Sequence, residues 1–178
     1  MGDNAEFRVV VTESSLLTTD EIRELAAYAS SGFERVNQAL RGEIEMTELL
    51  RRRAELIRSA LRKYPLAAAV RVTRRVGHAA VPGFDESDPD SFSGTDIEFG
   101  GFLSTCMNAV PPRMADAPLI LELLVPEGTP AFALGALAKY PEERELLVID
   151  ARVVTFIEVE FDVDEQAWRL LGLVWDEG

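Results

Sequence analysis

Apolar side chains in the first third of the chain recur every three or four residues, which is the spacing of one face of an α-helix. Two Ser/Thr-x-x-Glu capping boxes mark helix starts in this region, at Thr18 and at Ser31. The first predicts a helix whose apolar face holds Ile22, Leu25, Ala26 and Ala29. The second predicts a short helix that ends at Gly42, because glycine is preferred just after a helix. An earlier apolar run at residues 7–11 has no assigned role.

A longer helix is predicted over residues 47–63, and Pro65 follows it as a stop signal. Its apolar stripe consists of Leu49, Leu50, Ala54, Ile57, Ala60 and Leu61. Five arginines lie largely off this stripe, namely Arg51, Arg52, Arg53, Arg58 and Arg62. Because they fall on the opposite side of the helix, we expect them to form a solvated face.

After residue 65 the pattern changes from helical spacing to the two-residue alternation of strands. Strands are predicted over residues 68–76, 102–105, 119–125, from about 143, 153–161 and 168–175, and residues 77–98 are predicted to be loop. Helices first and strands afterwards favour an α+β fold with a mixed or antiparallel sheet over a doubly wound one. Neither an internal repeat nor a linker is visible, so we expect one domain over residues 1–178.

The composition and net charge of the chain limit the classes of molecule that it is expected to bind. The 178 residues are 47% hydrophobic, which suits a globular domain with a sizeable core. The formal net charge of −13 makes nucleic acid and anionic membranes poor nonspecific partners, although a local basic site remains compatible with it. No signal peptide is visible, and no apolar run approaches the roughly 20 residues that a membrane-spanning helix needs. A secreted or delivered effector and a cytoplasmic protein both fit these features.

The number and spacing of the cysteine, histidine and acidic residues do not predict a metal site. Cys106 is the only cysteine and His78 the only histidine, which excludes a Cys/His zinc site and an internal disulfide. The acidic run at residues 85–90 invites comparison with a calcium loop. In the EF-hand register, however, Pro89 falls on a ligand position and Asp90 stands where glycine is required, so we discard a calcium site as well.

The polar motif that stands out is Glu143-Arg144-Glu145, which follows a turn at Tyr140 and Pro141 and leads into an apolar strand. If the strand begins near Glu143, the two glutamates lie on one face and Arg144 on the other. Repulsion between the glutamates is then expected to raise the pKa of one carboxyl. Taken alone, the motif also fits a solvated acidic turn at a strand entrance.

Five pieces of the sequence, in this order, resemble the ADP-ribosyltransferase exoenzymes, the group that contains the enzymatic components of clostridial binary toxins. They are an aromatic-x-x-x-Asn before Leu-Arg at residues 33–41, Arg-Arg at 74–75, Gly-Phe-Leu-Ser-Thr at 101–105, Val-Pro-x-Gly-Thr at 125–129 and Glu-x-Glu at 143–145. No single piece is specific, but together they follow the family's arginine, Ser-Thr-Ser and glutamate on three core strands. The resemblance spans roughly residues 20–150 and implies the family's fold and NAD as a consumed substrate.

The resemblance implies which residues bind NAD. Arg74 would hold the phosphates with Arg75 beside it, since a guanidinium offers a planar fork of donors; the alternative for Arg74 is a surface ion pair. Asn37 would contact the nucleotide, with Phe33 packing nearby. A purely structural role for Asn37, in packing or in capping the helix, is a close alternative.

The resemblance also implies the catalytic residues, which are Glu145, Glu143 and Ser104. Ser104 would orient Glu145 and bind within the cofactor cleft, with Thr105 supporting the strand; Ser104 could instead simply face a cleft. Glu145 would stabilise positive charge on the ribose as the nicotinamide–ribose bond breaks, as a carboxylate does in glycoside hydrolysis. Glu143 would engage the nucleophile, and the Glu-x-Glu form resembles the arginine-modifying branch, because a guanidinium needs a carboxylate to align it.

The chain departs from the family pattern at four positions. Phe33 and Thr73 stand where many relatives have tyrosine, and Cys106 replaces the last serine of Ser-Thr-Ser. Glu122 stands where relatives can have an additional arginine that contacts NAD. The resemblance therefore implies an NAD site that lacks this arginine.

Three functions are compatible with these residues. The first is mono-ADP-ribosylation of an arginine on a target protein whose identity the sequence does not reveal. The second is NAD hydrolysis, or transfer to a non-arginine or nucleic-acid acceptor, of which the acidic charge weakly disfavours nucleic acid. The third is an inactive NAD-binding module, and the presence of Arg74, Ser104 and Glu145 argues against it. An independent toxin, a phage enzyme and a piece of a larger toxin all remain compatible.

Overall fold

A computed structural model describes residues 16–114 and 116–176. From residue 16 onward, three α-helices precede the sheet, namely α1 (Thr19–Ala27), α2 (Phe33–Leu40) and α3 (Glu48–Arg62). The apolar run predicted at residues 7–11 lies outside the described residues. Within them, no helix is long and apolar enough to cross a membrane.

The capping box at the start of α1 is confirmed. Thr18 Oγ1 accepts from the backbone N–H of Glu21 at 3.2 Å, and Glu21 Oε2 accepts from the N–H of Thr18 at 2.7 Å. Glu21 is buried and also accepts from Ser59 Oγ at 2.7 Å and Lys63 Nζ at 2.6 Å, both on or next to α3. Burial alone would raise the pKa of Glu21, but the hydrogen bonds, led by that from Lys63, lower it to about 2. The box therefore also joins α1 to α3.

The prediction of a second capping box, at Ser31, is wrong. The chain passes from α1 through a π-helical turn, Tyr28–Gly32, directly into α2. The residue before α2 is Gly32, which makes no side-chain cap. Because the helix continues through this turn, the N–H groups near Ser31 are not at a free helix start. The predicted end of α2 is confirmed, since Gly42 follows it with φ of 73°.

The third helix is confirmed, with Thr47 capping it through the N–H of Leu50 at 3.3 Å. Five of the six predicted stripe residues are buried, and Leu49 is the exception at 68% exposed. Leu49 lies about 100° around the helix from Leu50, outside the arc that packs on the rest of the protein.

The prediction that all five arginines of α3 form a solvated face was partly wrong. Arg53 is paired with Glu24 of α1 at 2.6 Å. Arg58 contacts Asp150, which is 5% exposed, at 2.5 Å. These two arginines therefore join α3 to other parts of the fold. The helix pattern did not predict these contacts, because the partners lie far away in the sequence.

Within the described part of the chain, eight strands form one sheet: β1 (Val70–Val76), β2 (Asp96–Phe99), β3 (Leu103–Cys106), β4 (Leu119–Val125), β5 (Ala131–Ala133), β6 (Glu145–Val148), β7 (Arg152–Asp162) and β8 (Ala167–Asp176). Their order is β2-β7-β8-β4-β1-β3-β6-β5. Every pairing is antiparallel except β4 with β8, which is parallel. The sheet is therefore mixed and the fold α+β, as the order of helices and strands predicts.

Two strand predictions needed correction. The segment 77–98, predicted as loop, contains the start of β2, which pairs with β7 at the edge of the sheet. Only Ile97 of its four residues is buried, so the apolar signal is too short to read. The strand of the Glu-x-Glu motif begins at Glu145 rather than near Glu143.

Two hydrophobic clusters hold these layers together. One lies on the sheet and includes Val72, Leu121 and Phe156, which are fully buried. The other packs the helices against the β3–β6 end of the sheet, where Tyr28 meets Phe102 edge-to-face at 5.8 Å. The second cluster places the helices over the strands that carry the polar motifs.

Candidate active site

Three adjacent strands, β1, β3 and β6, together with α2 and the turn before β6, bring the predicted site residues to one cavity of about 530 Å³. The register sets Cys106 of β3 opposite Glu145 of β6, and Thr73 of β1 opposite Cys106. Every predicted site residue lines this cavity: Phe33, Asn37, Arg74, Arg75, Ser104, Thr105, Glu143 and Glu145. The sheet therefore assembles residues that are distant in the sequence.

The centre of the cavity is the pair formed by Ser104 and Glu145. Ser104 Oγ donates a hydrogen bond to Glu145 Oε1. Thr105, the next residue, is buried and donates to the carbonyl of Leu146 at 2.8 Å, which joins β3 to β6 beside the pair. The carboxylate is thus held at a fixed position on the strand.

The environment of Glu145 raises its pKa. Burial is the main cause, the hydrogen bond from Ser104 opposes it, the negative charge of Glu143 adds to it, and the positive charge of Arg74 opposes it. The sequence predicts a raised pKa for one of the two glutamates from their repulsion. The direction is confirmed, but burial contributes more than repulsion.

Glu143 reaches the cavity by a different route from the one predicted. It ends a short 3₁₀ turn, Pro141–Glu143, and Arg144 after it has φ of 51°, in the left-handed region. Strand alternation therefore does not relate Glu143 to Glu145. The turn is held by Cys106, whose thiol donates to the carbonyl of Glu143 at 2.8 Å. Burial raises the pKa of this thiol, which favours the neutral donor.

Arg74 is a cation of β1 that lines this cavity. Burial lowers the pKa of its guanidinium, and the side chain nevertheless remains charged because arginine does not lose its proton in proteins. Among the described residues Arg74 makes no hydrogen bond or ion pair; its electrostatic neighbours are Tyr28, Arg41 and Glu145. A half-buried cation without a bound anion is costly, so Arg74 is suited to an anionic ligand.

Arg74 also lines a second cavity, of about 450 Å³. Arg41 and Glu43 lie there and form a two-pronged ion pair, with distances of 2.6 and 3.0 Å. The two cavities therefore meet at one half-buried cation, Arg74.

Arg75 has a different environment from Arg74. Its side chain is only 5% exposed and forms an ion pair with Glu165, and its Nε donates to the carbonyl of Pro111 at 3.4 Å. It lines the first cavity, but these contacts occupy much of its guanidinium.

Asn37 is buried and makes structural contacts. Its Nδ2 donates to Tyr28 Oη at 2.9 Å, and its Oδ1 accepts from the N–H of Phe102 at 2.9 Å. Tyr28 also lines the cavity, and burial raises its pKa to about 12. Phe33 is 48% exposed and packs edge-on against Tyr28 at 6.3 Å.

Sequence reasoning missed Tyr28. Its ring packs against Phe33, which has no hydroxyl, and its own hydroxyl accepts from Asn37. Its place on the apolar face three residues after Leu25 was the available signal.

Nothing in the described chain points to a metal centre, since residues 16–114 and 116–176 contain no group of three or more His, Cys, Asp or Glu side chains placed to hold an ion. The cavity contains a carboxylate oriented by a serine, a second carboxylate and a half-buried cation. Such a site can stabilise a developing positive charge, bind an anion and align a cationic nucleophile.

Three solved structures are similar in fold over about nine-tenths of this chain. Plx2a, an ADP-ribosyltransferase toxin from Paenibacillus larvae, has a TM-score of 0.78 at 24% identity, covering 90% of this chain and 87% of its own. C3stau2 from S. aureus, solved with NAD, has 0.78 at 16% identity, covering 92% and 90%. BECa, the ADP-ribosylating toxin of a C. perfringens binary enterotoxin, solved with NADH, has 0.77 at 22% identity, covering 90% and 44%.

A search among curated protein sequences found no match. The family model of the ADP-ribosyltransferase exoenzymes matches residues 9–160. That match covers most of the chain, including the three strands that carry Arg74, Ser104 and Glu145. The chain belongs to the ADP-ribosyltransferase exoenzyme family.

Proposed function

We propose that this protein is a mono-ADP-ribosyltransferase that cleaves NAD and transfers ADP-ribose to an arginine of a target protein. The observation that carries the proposal is the placement of Glu145. It is oriented by Ser104, lies near Arg74 and shares its cavity with Glu143. This arrangement matches the chemistry of breaking one bond to a sugar and forming another.

The two cavities fit the two halves of NAD, the nucleotide substrate of this family. NAD is two nucleotides joined by a pyrophosphate, and Arg74 is a cation shared by the two cavities. The pyrophosphate would supply the anion that Arg74 lacks among the described residues. The nicotinamide ribose would then lie toward Glu145, and the adenosine half toward the cavity that contains Arg41.

Glu145 would act on the ribose of NAD. As the C–N bond to nicotinamide breaks, its electron pair leaves with the neutral nicotinamide, and positive charge develops on the ribose. An ionised Glu145 would stabilise that charge, and Ser104 would keep the carboxylate in place. Burial raises the pKa of this half-buried carboxyl, and a positive charge nearby opposes that shift and favours the ionised form.

Glu143 supports arginine as the acceptor. It is half-buried at the same cavity, so a carboxylate faces the space where a nucleophile would enter. A guanidinium would be attracted and aligned by this carboxylate; its nitrogen would form the new bond to the ribose and its proton would pass to Glu143. Water as the acceptor requires no such alignment.

The acceptor is tested by incubating the protein with labelled NAD and a cell lysate, followed by mass spectrometry of any labelled protein. We expect ADP-ribose on an arginine side chain. A sample that lacks the lysate shows how much free ADP-ribose arises by hydrolysis alone. Label found only on other residue types, only on nucleic acid, or only in free ADP-ribose would contradict the proposal.

Substituting Arg74 by lysine is expected to weaken NAD binding by about tenfold, because lysine keeps the charge but loses the two-pronged fork. Calorimetric titration of NAD measures the loss. The melting temperature should not fall, since Arg74 has no ion pair to lose among the described residues.

The matched control is Arg71→Lys on the same strand. Arg71 is 69% exposed, pairs with Glu122 at 2.7 Å and is not among the residues that line either cavity. This variant should bind NAD as the parent does. Equal affinity of the parent and of Arg74→Lys would overturn the role of Arg74.

A further inference from the structure

Residues 107–114, in the segment that follows β3, form one wall of the first cavity, and we call them the wall loop. Pro111, Pro112, Arg113 and Met114 line the cavity. Its backbone is held to the sheet by hydrogen bonds from three side chains: Thr73 to the carbonyl of Asn108 at 2.7 Å, Arg169 to that of Ala109 at 3.3 Å and Arg75 to that of Pro111 at 3.4 Å. Successive points of the wall loop are thus fixed from β1 and β8.

Arg75 and Arg169, which bind the wall loop, are themselves paired with acidic residues. Arg75 is paired with Glu165, and Arg169 contacts Glu122 and Asp162, both at 2.8 Å. Asp162 and Glu165 lie at the end of β7 and in the turn that leads to β8. The turn between the last two strands therefore supports the wall loop through two arginines.

The wall loop also reaches back to this turn. Arg113 Nε lies 3.3 Å from Glu165 Oε2, and Arg113 Nη2 donates to the carbonyl of Asp164 at 3.4 Å. Glu165 consequently accepts from Arg75 on the sheet and from Arg113 on the loop. One carboxylate joins three parts of the fold.

Burial makes the Arg75–Glu165 pair stronger than a surface ion pair. The side chains are 5% and 17% exposed, whereas Arg113 is 70% exposed. Removing one member of a buried pair leaves the other without compensation, which is much more costly than removing a surface contact. The contact of Arg113 with Glu165 is therefore secondary to that of Arg75.

We propose that Arg75 is a positioning residue, which acts with Glu165 to hold the wall loop against the cavity, and that it is not itself a ligand of NAD. Its charge is already matched by Glu165, whereas Arg74, the adjacent residue on the strand, has no such partner among the described residues. The effect on NAD rests on the proposed function, but the bracing of the wall loop rests on the contacts alone.

The test compares Glu165→Gln, Arg75→Gln and the double variant. Each should raise KM for NAD by about 5–10-fold in the hydrolysis assay and leave kcat within about twofold, because a loosened wall weakens binding without removing a reacting group. The double variant should be no worse than the more affected single variant, since both changes break one interaction. Arg75→Lys should recover part of the loss, because it keeps the charge that faces Glu165.

Limited proteolysis gives a second measurement that does not depend on activity. Trypsin cleaves after Arg113, within the wall loop, and the cleaved bond is identified by mass spectrometry. Both single variants should be cut there about tenfold faster than the parent, because a released loop opens more often. Glu48→Gln, which breaks the exposed pair with Arg51 on α3, is the matched control and should leave KM and cleavage unchanged.

Two results would overturn the proposal. One is a rise in KM for Arg75→Gln with Glu165→Gln unchanged, or multiplied effects in the double variant, since either would make Arg75 a ligand of NAD. The other is unchanged cleavage at Arg113 in both single variants. If the parent turns over no NAD, the proposed function fails, and the proteolysis still decides whether Arg75 and Glu165 brace the loop.

Discussion

Replacement of Glu145 by glutamine is expected to lower NAD hydrolysis and ADP-ribosyl transfer together, by about 10²–10³-fold or more. Glutamine keeps the shape and can still accept from Ser104, but it has no charge to stabilise the positive ribose. Nicotinamide release and incorporation of label into protein measure the two activities. Unchanged NAD turnover would remove Glu145 from the mechanism.

The same variant should not lose stability. The pKa of Glu145 is raised in the folded protein, so the folded state holds a proton more tightly than the unfolded chain does. The contribution of Glu145 to stability is therefore greatest at low pH and declines as the pH rises through the raised value. At neutral pH its ionised carboxylate opposes folding, and Glu145→Gln should melt at the same temperature as the parent or higher.

Activity has the opposite pH dependence, because the ionised form is the one that stabilises positive charge. Hydrolysis by the parent should fall as the pH is lowered, with a midpoint above the ordinary pKa of glutamic acid. Glu142→Gln, at an exposed neighbouring position, is the control and should keep both activities and this midpoint. A large drop in the melting temperature of Glu145→Gln would instead indicate a structural carboxylate.

Replacement of Glu143 by glutamine is expected to reduce arginine transfer by about 10²-fold or more while hydrolysis stays within a few-fold of the parent. Glu143 faces the cavity from the turn before β6, and it is Glu145 that accepts from Ser104. Its loss should therefore affect the acceptor more than the breaking of the nicotinamide bond. Parallel assays of labelled protein and of free ADP-ribose separate the two effects.

The Glu143 variant should also change the pH dependence of hydrolysis. The negative charge of Glu143 contributes to the raised pKa of Glu145, so its removal should shift the acid midpoint to lower pH. An equal loss of transfer and hydrolysis would place Glu143 in the NAD-cleaving machinery and would contradict its assignment to the acceptor.

Local patterns in the sequence predicted the structure correctly where interactions between neighbouring residues determine it. The Thr18 box, α3 and the bounds of β4 were predicted correctly, because a cap, a helical stripe and an apolar run depend on neighbouring residues. The capping box predicted at Ser31 was wrong because a π-helical turn joins the two helices there. A capping motif does not reveal that the preceding helix continues.

The residues predicted from the sequence line one cavity, but the geometry of that cavity was not predicted. Arg144 adopts a left-handed backbone conformation and so breaks the alternation that the Glu-x-Glu spacing suggests. An arginine in the sequence does not indicate such a conformation. The partner of Arg75 lies ninety positions away in a turn, at Glu165. Contacts of this kind are set by the sheet order, which periodicity does not encode.

The position of β8 in the sheet has a consequence for how the chain folds. It is the last strand of the described chain, yet it lies inside the sheet between β7 and β4, with Leu119 set beside Trp168. Until it docks, one edge of β4 has no partner, and this apolar strand can pair with other chains. Parallel pairing of such distant segments is slow. A newly synthesised chain therefore carries an unpaired β4 edge until β8 arrives, and chaperones that cover strand edges would act in that interval.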